Sequence, residues 1–417
     1  MQISKLIGWL KKQKKINKLR IKKKDIDNLK DWIFRENTIN HKKNNFFSIK
    51  AFTIRQKDKN IFQPLIVQKE EGILGIIKQK KQGKNYYLLQ SKIEPGNING
   101  VQISPTVQAT KSNYLRKHGG KKTLFLDFFL NPGKNIKIIS KKRLSEQGSR
   151  FLNKKNWNVL LELKKDLILQ NKNYYWFSKE NIRYFLNKKN IINMDTISVL
   201  SSIIKKNRNE IQMNSKKKLY DKLNYFNKKS KFKINQINFK NLKNWKISRN
   251  SMYDNNKKFF SIFFIDVIAN LREVKRWEQP IISDHNSSFN GFLVSKINNS
   301  THYLLKVIIE PGFGQPKFTS TIFEKNFLFR NKRNIKFMSL FSKKNCLMDI
   351  INSDEGGRFL KNETRNMICE IEDFKVVKLD KNFIWASHNQ IIELIDKNKI
   401  TIEARNLFAC CNIDKIK

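Results

Sequence analysis

The sequence predicts an α+β protein made of two tandem homologous modules, each a mostly antiparallel sheet with flanking helices. Three observations predict it. An ordered set of short motifs occurs twice, runs of strand length recur at matching places in both copies, and each copy ends in a helical segment.

Asn28-Leu29-Lys30-Asp31-Trp32 returns as Asn241-Leu242-Lys243-Asn244-Trp245, and Phe46-Phe47-Ser48-Ile49 returns as Phe259-Phe260-Ser261-Ile262 at the same offset. Gln63-Pro64 pairs with Gln279-Pro280, and Glu94-Pro95-Gly96 with Glu310-Pro311-Gly312. Later, the Glu146 to Phe151 segment matches Asp354 to Phe359, Trp176 matches Trp385, and Ile192 to Leu200 matches Ile400 to Phe408. The order is kept throughout, so small insertions account for the changing offset. This places a basic N-terminal extension at 1–24, a first module at 25–204, a Lys/Asn-rich linker at 205–236 and a second module at 237–412.

Alternating or apolar runs at Ile73 to Ile77, Tyr86 to Gln90 and Val159 to Leu163 read as strands, as do Phe292 to Ile297, His302 to Ile308 and Met367 to Ile371. Lys84-Asn85 and Asn298 to Ser300 stand where hairpin turns belong. Lys179 to Asn187 and Asn389 to Lys397 carry apolar residues at helical spacing. Trp32, Trp176, Trp245 and Trp385 recur in both copies and read as core. Trp277 breaks that symmetry and reads as a ligand contact.

Composition narrows the function. Lys and Arg number 85 against 35 Asp and Glu, a net charge of +50. Taken alone this points to nucleic acid. The basic residues are spread along the chain and accompany an excess of Asn, Ile and Phe, so the charge reads as compositional rather than as a binding patch. Cys346, Cys369, Cys410 and Cys411 form no CxxC pair and read as reduced, buried thiols. The Lys-rich N-terminus lacks the apolar core of a secretion signal, and the most apolar stretch, Phe259 to Leu271, is short and carries Asp266. A cytoplasmic protein, without membrane or specific nucleic-acid partners, is expected. Dinucleotide, P-loop and zinc-protease motifs do not occur.

The segment richest in chemistry runs from Glu94 to Gly120. Within it Gln102 and Ser104, then Thr106, Gln108 and Thr110, alternate with apolar residues, and a strand sends such residues to one face. The row suits sugar hydroxyls and a pyrimidine edge; a strand with one face in water fits the spacing equally well. Ser112, Asn113, Tyr114, Arg116, Lys117 and His118 follow, then two glycines whose freed N–H groups can cradle phosphate.

These residues resemble the NDP-hexose 2,3-dehydratases of deoxysugar biosynthesis. Glu94 to Asn99, Ser104 to Tyr114 and His118 to Gly120 carry the resemblance in the first module, with Ser145 to Gly148 and Asn193 to Thr196. In the second it rests on Arg272-Glu273-Val274, Trp277, Gln279-Pro280, Glu310 to Phe313 and Glu355 to Phe359. The resemblance implies Nudix-like modules without the Nudix metal box, a homodimer, and a dTDP-linked 4-keto-6-deoxyhexose as substrate. Two departures stand out: Pro316 to Phe327 lacks the second module's usual PTVQ-type run, and Ile197 stands where an Arg usually follows the NMDT element, whereas Arg405 keeps the second copy's Arg.

In the implied substrate the C4 ketone acidifies the C3 proton and the C2 hydroxyl lies β to it, so elimination needs a base, a donor to the C4 oxygen and an acid, and no cofactor. The 3,4-diketo product is unstable, which implies a downstream 3-ketoreductase. His118 and Tyr114 are the expected acid/base groups. Gln102, Ser104, Thr106, Gln108, Thr110, Ser112, Asn113, Arg116, Arg150, Trp277 and Gln279 are the expected substrate contacts. Arg150 and Arg358 read as diphosphate partners or structural ion-pair formers, and Glu94 reads as a hairpin cap. A sugar-nucleotide-binding pseudoenzyme and a basic nucleic-acid-binding protein are the alternatives.

Overall fold

The computed structural model describes residues 3–44, 46–56, 59–115, 119–256, 258–325 and 335–417. The first half runs α1 (Ile3–Ile16), β1 (Leu19–Lys23), β2 (Trp32–Phe34), β3 (Thr38–His41), β4 (Ser48–Gln56), β5 (Lys59–Val67), β6 (Gly72–Lys81), β7 (Lys84–Ile93), β8 (Val101–Pro105), β9 (Val107–Ala109), α2 (Lys111–Tyr114), α3 (Leu126–Leu130), β10 (Ile136–Ser145), β11 (Lys155–Leu163), β12 (Tyr174–Phe177), α4 (Lys179–Leu186) and α5 (Met194–Ser201). The second half repeats most of this as α6 (Lys216–Ser230), β13 (Lys233–Ile237), β14 (Trp245–Ser248), β15 (Ser251–Asp254), β16 (Phe260–Ala269), β17 (Arg276–Asp284), β18 (Ser288–Ile297), β19 (Ser300–Ile308), β20 (Lys317–Thr319), β21 (Ile322–Glu324), β22 (Cys346–Ser353), β23 (Glu363–Glu370), β24 (Phe383–Ser387), α7 (His388–Asp396) and α8 (Ile402–Cys411).

Each half contributes a seven-stranded sheet, ordered β10-β11-β6-β7-β12 with β8 on β7 and β9 on β6, and β20-β19-β18-β23-β22 with β21 on β18 and β24 on β19. The β6–β11 and β18–β23 pairings are parallel and the others antiparallel. Central β6 is buried along nearly its whole length, which is why it reads as a continuous apolar run. Its hairpin to β7 turns at Gln82 and Gly83, both at positive φ, immediately before the expected Lys84-Asn85. The β18–β19 turn falls on Asn298 and Asn299 as expected, since asparagine tolerates the left-handed region. Ser178 and Ser387 close capping boxes that start α4 and α7.

The ends of the modules differ from the sequence reading. Residues 1–24 were expected as a basic extension, yet α1 buries Leu6 and Leu10, worth about 2 kcal/mol each. β1 then pairs with β16 of the second half. Reciprocally, the expected linker holds α6 and β13, and β13 pairs with β4 of the first half. Lysines on the exposed faces of α1 and α6 hid the apolar stripe beneath.

The exchanged strands give each half a five-stranded small sheet, β13-β4-β3-β2 with β5, and β1-β16-β15-β14 with β17. The two small sheets share one core in which Trp32, Ile49 and Phe151 pack with Met252, Phe260 and Phe359. The halves are also joined backbone to backbone. Gly96 N donates to Gly356 O at 2.7 Å, and Gly312 N to Gly148 O at 2.6 Å. A Cβ at Gly96 would stand 1.6 Å from Phe359 O, and one at Gly312 1.6 Å from Phe151 O, so both EPG turns require glycine.

Candidate active site

That joint places second-half residues in a first-half cleft of about 670 Å³. Gly72, Leu74 and Asn156 line it from β6 and β11, Gln108 to Thr110 from the end of β9, and Asp195 from the start of α5. Lys92 and Glu94 enter from β7 and the EPG turn, Glu146 and Lys154 from the β10–β11 connection. The second half supplies Glu355, Gly357 and Arg358, and closes one side with Arg272, Trp277 and Gln279.

Four carboxyl side chains therefore meet in little water, and their surroundings set them apart. Burial opposes ionisation of Glu94, but Lys92 Nζ at 3.3 Å and Arg272 Nη1 at 3.7 Å hold it below the ordinary value. Burial raises Glu355 to about 7 against the pull of Arg358, helped by Glu94 and Glu146. Asp195 lies well above its ordinary range through burial and then through Glu355, Glu146 and Glu94. Glu355 and Glu94 both lie against Gly357: a Cβ there would be 2.4 Å from Glu355 Oε1 and 3.5 Å from Glu94 Oε1. Burial also brings the Lys154 ammonium down to about 8. The floor thus sets beside one another a carboxyl pushed toward its ionised form, Glu94, one poised near neutrality, Glu355, and one pushed toward its protonated form, Asp195.

The upper wall is aromatic: Trp32, His41, Phe46, Phe47 and Trp277. Trp277 Nε1 donates to Gln279 Oε1 at 2.8 Å, and Gln279 Nε2 donates to Gly357 O at 2.7 Å, which ties this wall to the floor. Trp32, expected in the core, is buried and also lines the cleft.

The expected site residues separate into groups. Gln108, Thr110, Trp277 and Gln279 line the cleft. Gln102, Ser104 and Thr106 do not: all are fully buried, so the expected ligand row is corrected to its last two members. Gln102 donates to Asn190 O and to Ser353 Oγ, and Thr106 accepts from Ile77 N and donates to Leu88 O. Ser112 binds Glu70 through its N–H and hydroxyl and lines a neighbouring groove. Arg150 is taken by Asp284 at 2.6 Å, away from the cleft, whereas its repeat partner Arg358 is in it. Arg116, Lys117 and His118 lie outside the described residues, as do the side chains of Asn113 and Tyr114. Glu94 is not a hairpin cap, because its carboxyl points to Lys92 and Arg272. The sequence signal for Glu94, Glu355 and Arg358 was their presence in the matched family elements; for Asp195 it was the NMDT element. The thiols are free, with Cys369 buried, Cys346 half-buried and Cys411 exposed, so uniform burial is corrected.

In the second half, Glu310, Asp354, Glu403 and Arg150 stand where the first has Glu94, Glu146, Asp195 and Arg358. Lys325, which follows β21 as Thr110 follows β9, reaches Asp354 at 2.8 Å and Asp284 at 3.7 Å. Glu310 rises to about 8 through burial and Glu403. Among the described residues no helix is long and apolar enough to cross a membrane.

A family model described as NDP-hexose 2,3-dehydratase matches residues 3–203 and 216–411. Relatives named dTDP-4-dehydro-6-deoxy-alpha-D-glucopyranose 2,3-dehydratase are similar over almost the whole chain. Those from Amycolatopsis orientalis and Streptomyces violaceoruber are 27% identical over 97% of this chain, covering 89% and 95% of the relatives. One from Saccharopolyspora spinosa is 26% identical over 96% of this chain and 89% of its own. With nearly every element of both halves inside that match, the chain belongs to the NDP-hexose 2,3-dehydratase family.

Proposed function

We propose that this chain removes water across C2–C3 of a dTDP-linked 4-keto-6-deoxyhexose, and that the first-half cleft is where it does so. The relatives' names supply the substrate. The observation that carries the site is the set of buried carboxyl groups with divergent protonation, completed by Glu355 from the other half.

Glu355 takes the C3 proton, and the electron pair moves into the C4 ketone. Neutral Asp195, with Lys154, donates to the growing enolate oxygen. The pair then returns to expel the C2 hydroxyl, which leaves as water with the proton from Glu355. The remaining enol tautomerises to the 3,4-diketo-2,6-dideoxy sugar. Glu94 keeps the proton on Glu355 mobile near neutrality, and the aromatic wall excludes water and flanks the nucleoside. His118, Tyr114 and Arg116, which follow the cleft-lining Thr110 in the sequence, are read as partners of the diphosphate. Nudix-like modules, a cytoplasmic homodimer and a 3-ketoreductase consuming the unstable diketone complete the reading.

Incubating the purified protein with dTDP-4-keto-6-deoxyglucose and following it by mass spectrometry tests the reading. Loss of one water, or breakdown to thymidine diphosphate, is expected. Intact substrate bound without turnover would instead make the chain a binding protein.

A further inference from the structure

Arg405 of α8 is almost wholly buried, yet it carries no carboxylate partner within ion-pair distance among the described residues. Its Nε and Nη1 have no hydrogen-bond partner there either. A guanidinium taken out of water so incompletely matched costs several kcal/mol, on the order of the penalty for any poorly paired buried ion. Its one bond is directional: Nη2 donates to Ser198 Oγ at 2.8 Å.

From Ser198 the contacts run into the first-half cleft. Ser198 Oγ donates to Asn158 Oδ1 at 2.7 Å, Asn158 Nδ2 to Asn156 O at 3.2 Å, and Asn156 Nδ2 to Glu146 Oε1 at 2.7 Å. Glu146 lines the cleft, and Asp195 begins the helix that holds Ser198. The repeat is broken here in one direction only. Ile197 occupies on α5 the place of Arg405 on α8, and in the second half Asn290 Nδ2 fills the acceptor of Asn366, the counterpart of Asn158. In this chain the buried arginine and its link to a cleft therefore occur once, and the link leads to the first-half site.

We propose that Arg405 is a positioning residue for the first-half site, acting from the second half through Ser198, Asn158 and Asn156 to orient Glu146 and to place a positive charge beneath the carboxyl floor. The charged groups facing it are Glu146 from the β10–β11 connection, Asp195 on α5, Glu403 on its own helix and Lys317 on β20. Burial lowers the Arg405 guanidinium to about 10 while Glu146, Glu403 and Asp195 pull it up, and by reciprocity its charge favours the ionised forms of Glu403 and Asp195. Removing the charge makes the carboxyl cluster hold its protons to higher pH. This inference rests on the catalytic reading of the cleft.

The test is the pH profile of kcat for water loss in the full chain with Arg405→Met, Arg405→Lys and Ser198→Ala, each checked for folding by circular dichroism. For Arg405→Met, kcat falls at least about tenfold with KM within about threefold, and the acid limb moves to higher pH. Arg405→Lys, which keeps the charge, restores the limb. Ser198→Ala, a mild change that decides the matter if Arg405→Met does not fold, lowers kcat about threefold with the limb in place. A wild-type limb in folded Arg405→Met, or wild-type kcat in Ser198→Ala, overturns the proposal. Absence of turnover by the unaltered chain would sink the dehydratase reading itself, which separates the two failures.

Discussion

The floor of the first-half cleft and the matching place in the second half carry acids and an arginine in the same order, but their cations are used differently. In the first, Lys92 and Arg272 hold Glu94 ionised at the edge of an open space, and Glu355 is left near neutrality. In the second, Lys325 lies between Asp354 and Asp284, and Arg150 closes on Asp284. Gln147 stands where the first site has Glu355. A duplicated scaffold keeps its charges after chemistry is confined to one copy, because a buried charge that loses its partner costs more than the pair that stays. Shared residue types therefore do not tell which copy works; what fills the space does.

The largest effect that separates the two places is on stability. Lys325→Met leaves Asp354 buried without its cation and is expected to cost about 3 kcal/mol, whereas Thr110→Ala at the matching position changes stability by less than about 0.5 kcal/mol. Urea denaturation of both variants checks this, and kcat per folded molecule should stay at the wild-type value for Lys325→Met. The joints should behave alike: Gly96→Ala and Gly312→Ala each cost about 2 to 3 kcal/mol, since each Cβ meets a carbonyl oxygen that cannot turn away. Unequal costs would show that the pseudo-symmetry of the joint is only geometric.

A smaller effect is the pH dependence of stability. Glu310, held at about 8 from an ordinary 4.5, binds its proton more tightly folded than unfolded, so its stabilising contribution is present below 4.5 and is lost as pH rises through 8. Glu355 follows the same sign with its loss complete near 7. Between pH 6 and 9 the Tm of Glu310→Gln should fall less than that of the wild type. Equal slopes would place the Glu310 proton elsewhere. Smallest is the effect of Gln108→Ala, expected to raise KM about fivefold, against no change for Phe323→Ala, whose strand position opposite Asn290 matches that of Gln108 opposite Leu74.

Much of this was legible in the chain. The repeat located both sheets, the two closing helices and the matched halves of the joint, because period and order survive divergence. Strand exchange was not legible: β1 and β13 lie outside the motif pairs, and Lys-rich faces masked the apolar stripes of α1 and α6. In the site, alternation singled out Gln102, Ser104 and Thr106 as a polar row but could not say whether they meet ligand or protein, and all three are buried against protein. A clue was present, since Thr321 accepts from Leu293 N and donates to Leu304 O as Thr106 does with Ile77 and Leu88, and so recurs where the rest of the run has been lost. Glu355 escaped notice because its environment comes from residues distant in sequence, which no local pattern records.

The central claim, that elimination occurs in the first-half cleft with Glu355 as the proton-transfer group, is tested most directly with substrate deuterated at C3. Release of deuterium to solvent and loss of water are followed together for the wild type, Glu355→Gln and Glu310→Gln. The account predicts both events in the wild type and Glu310→Gln, and a fall of about a thousandfold in both for Glu355→Gln; wild-type rates in Glu355→Gln, or their collapse in Glu310→Gln, would contradict it.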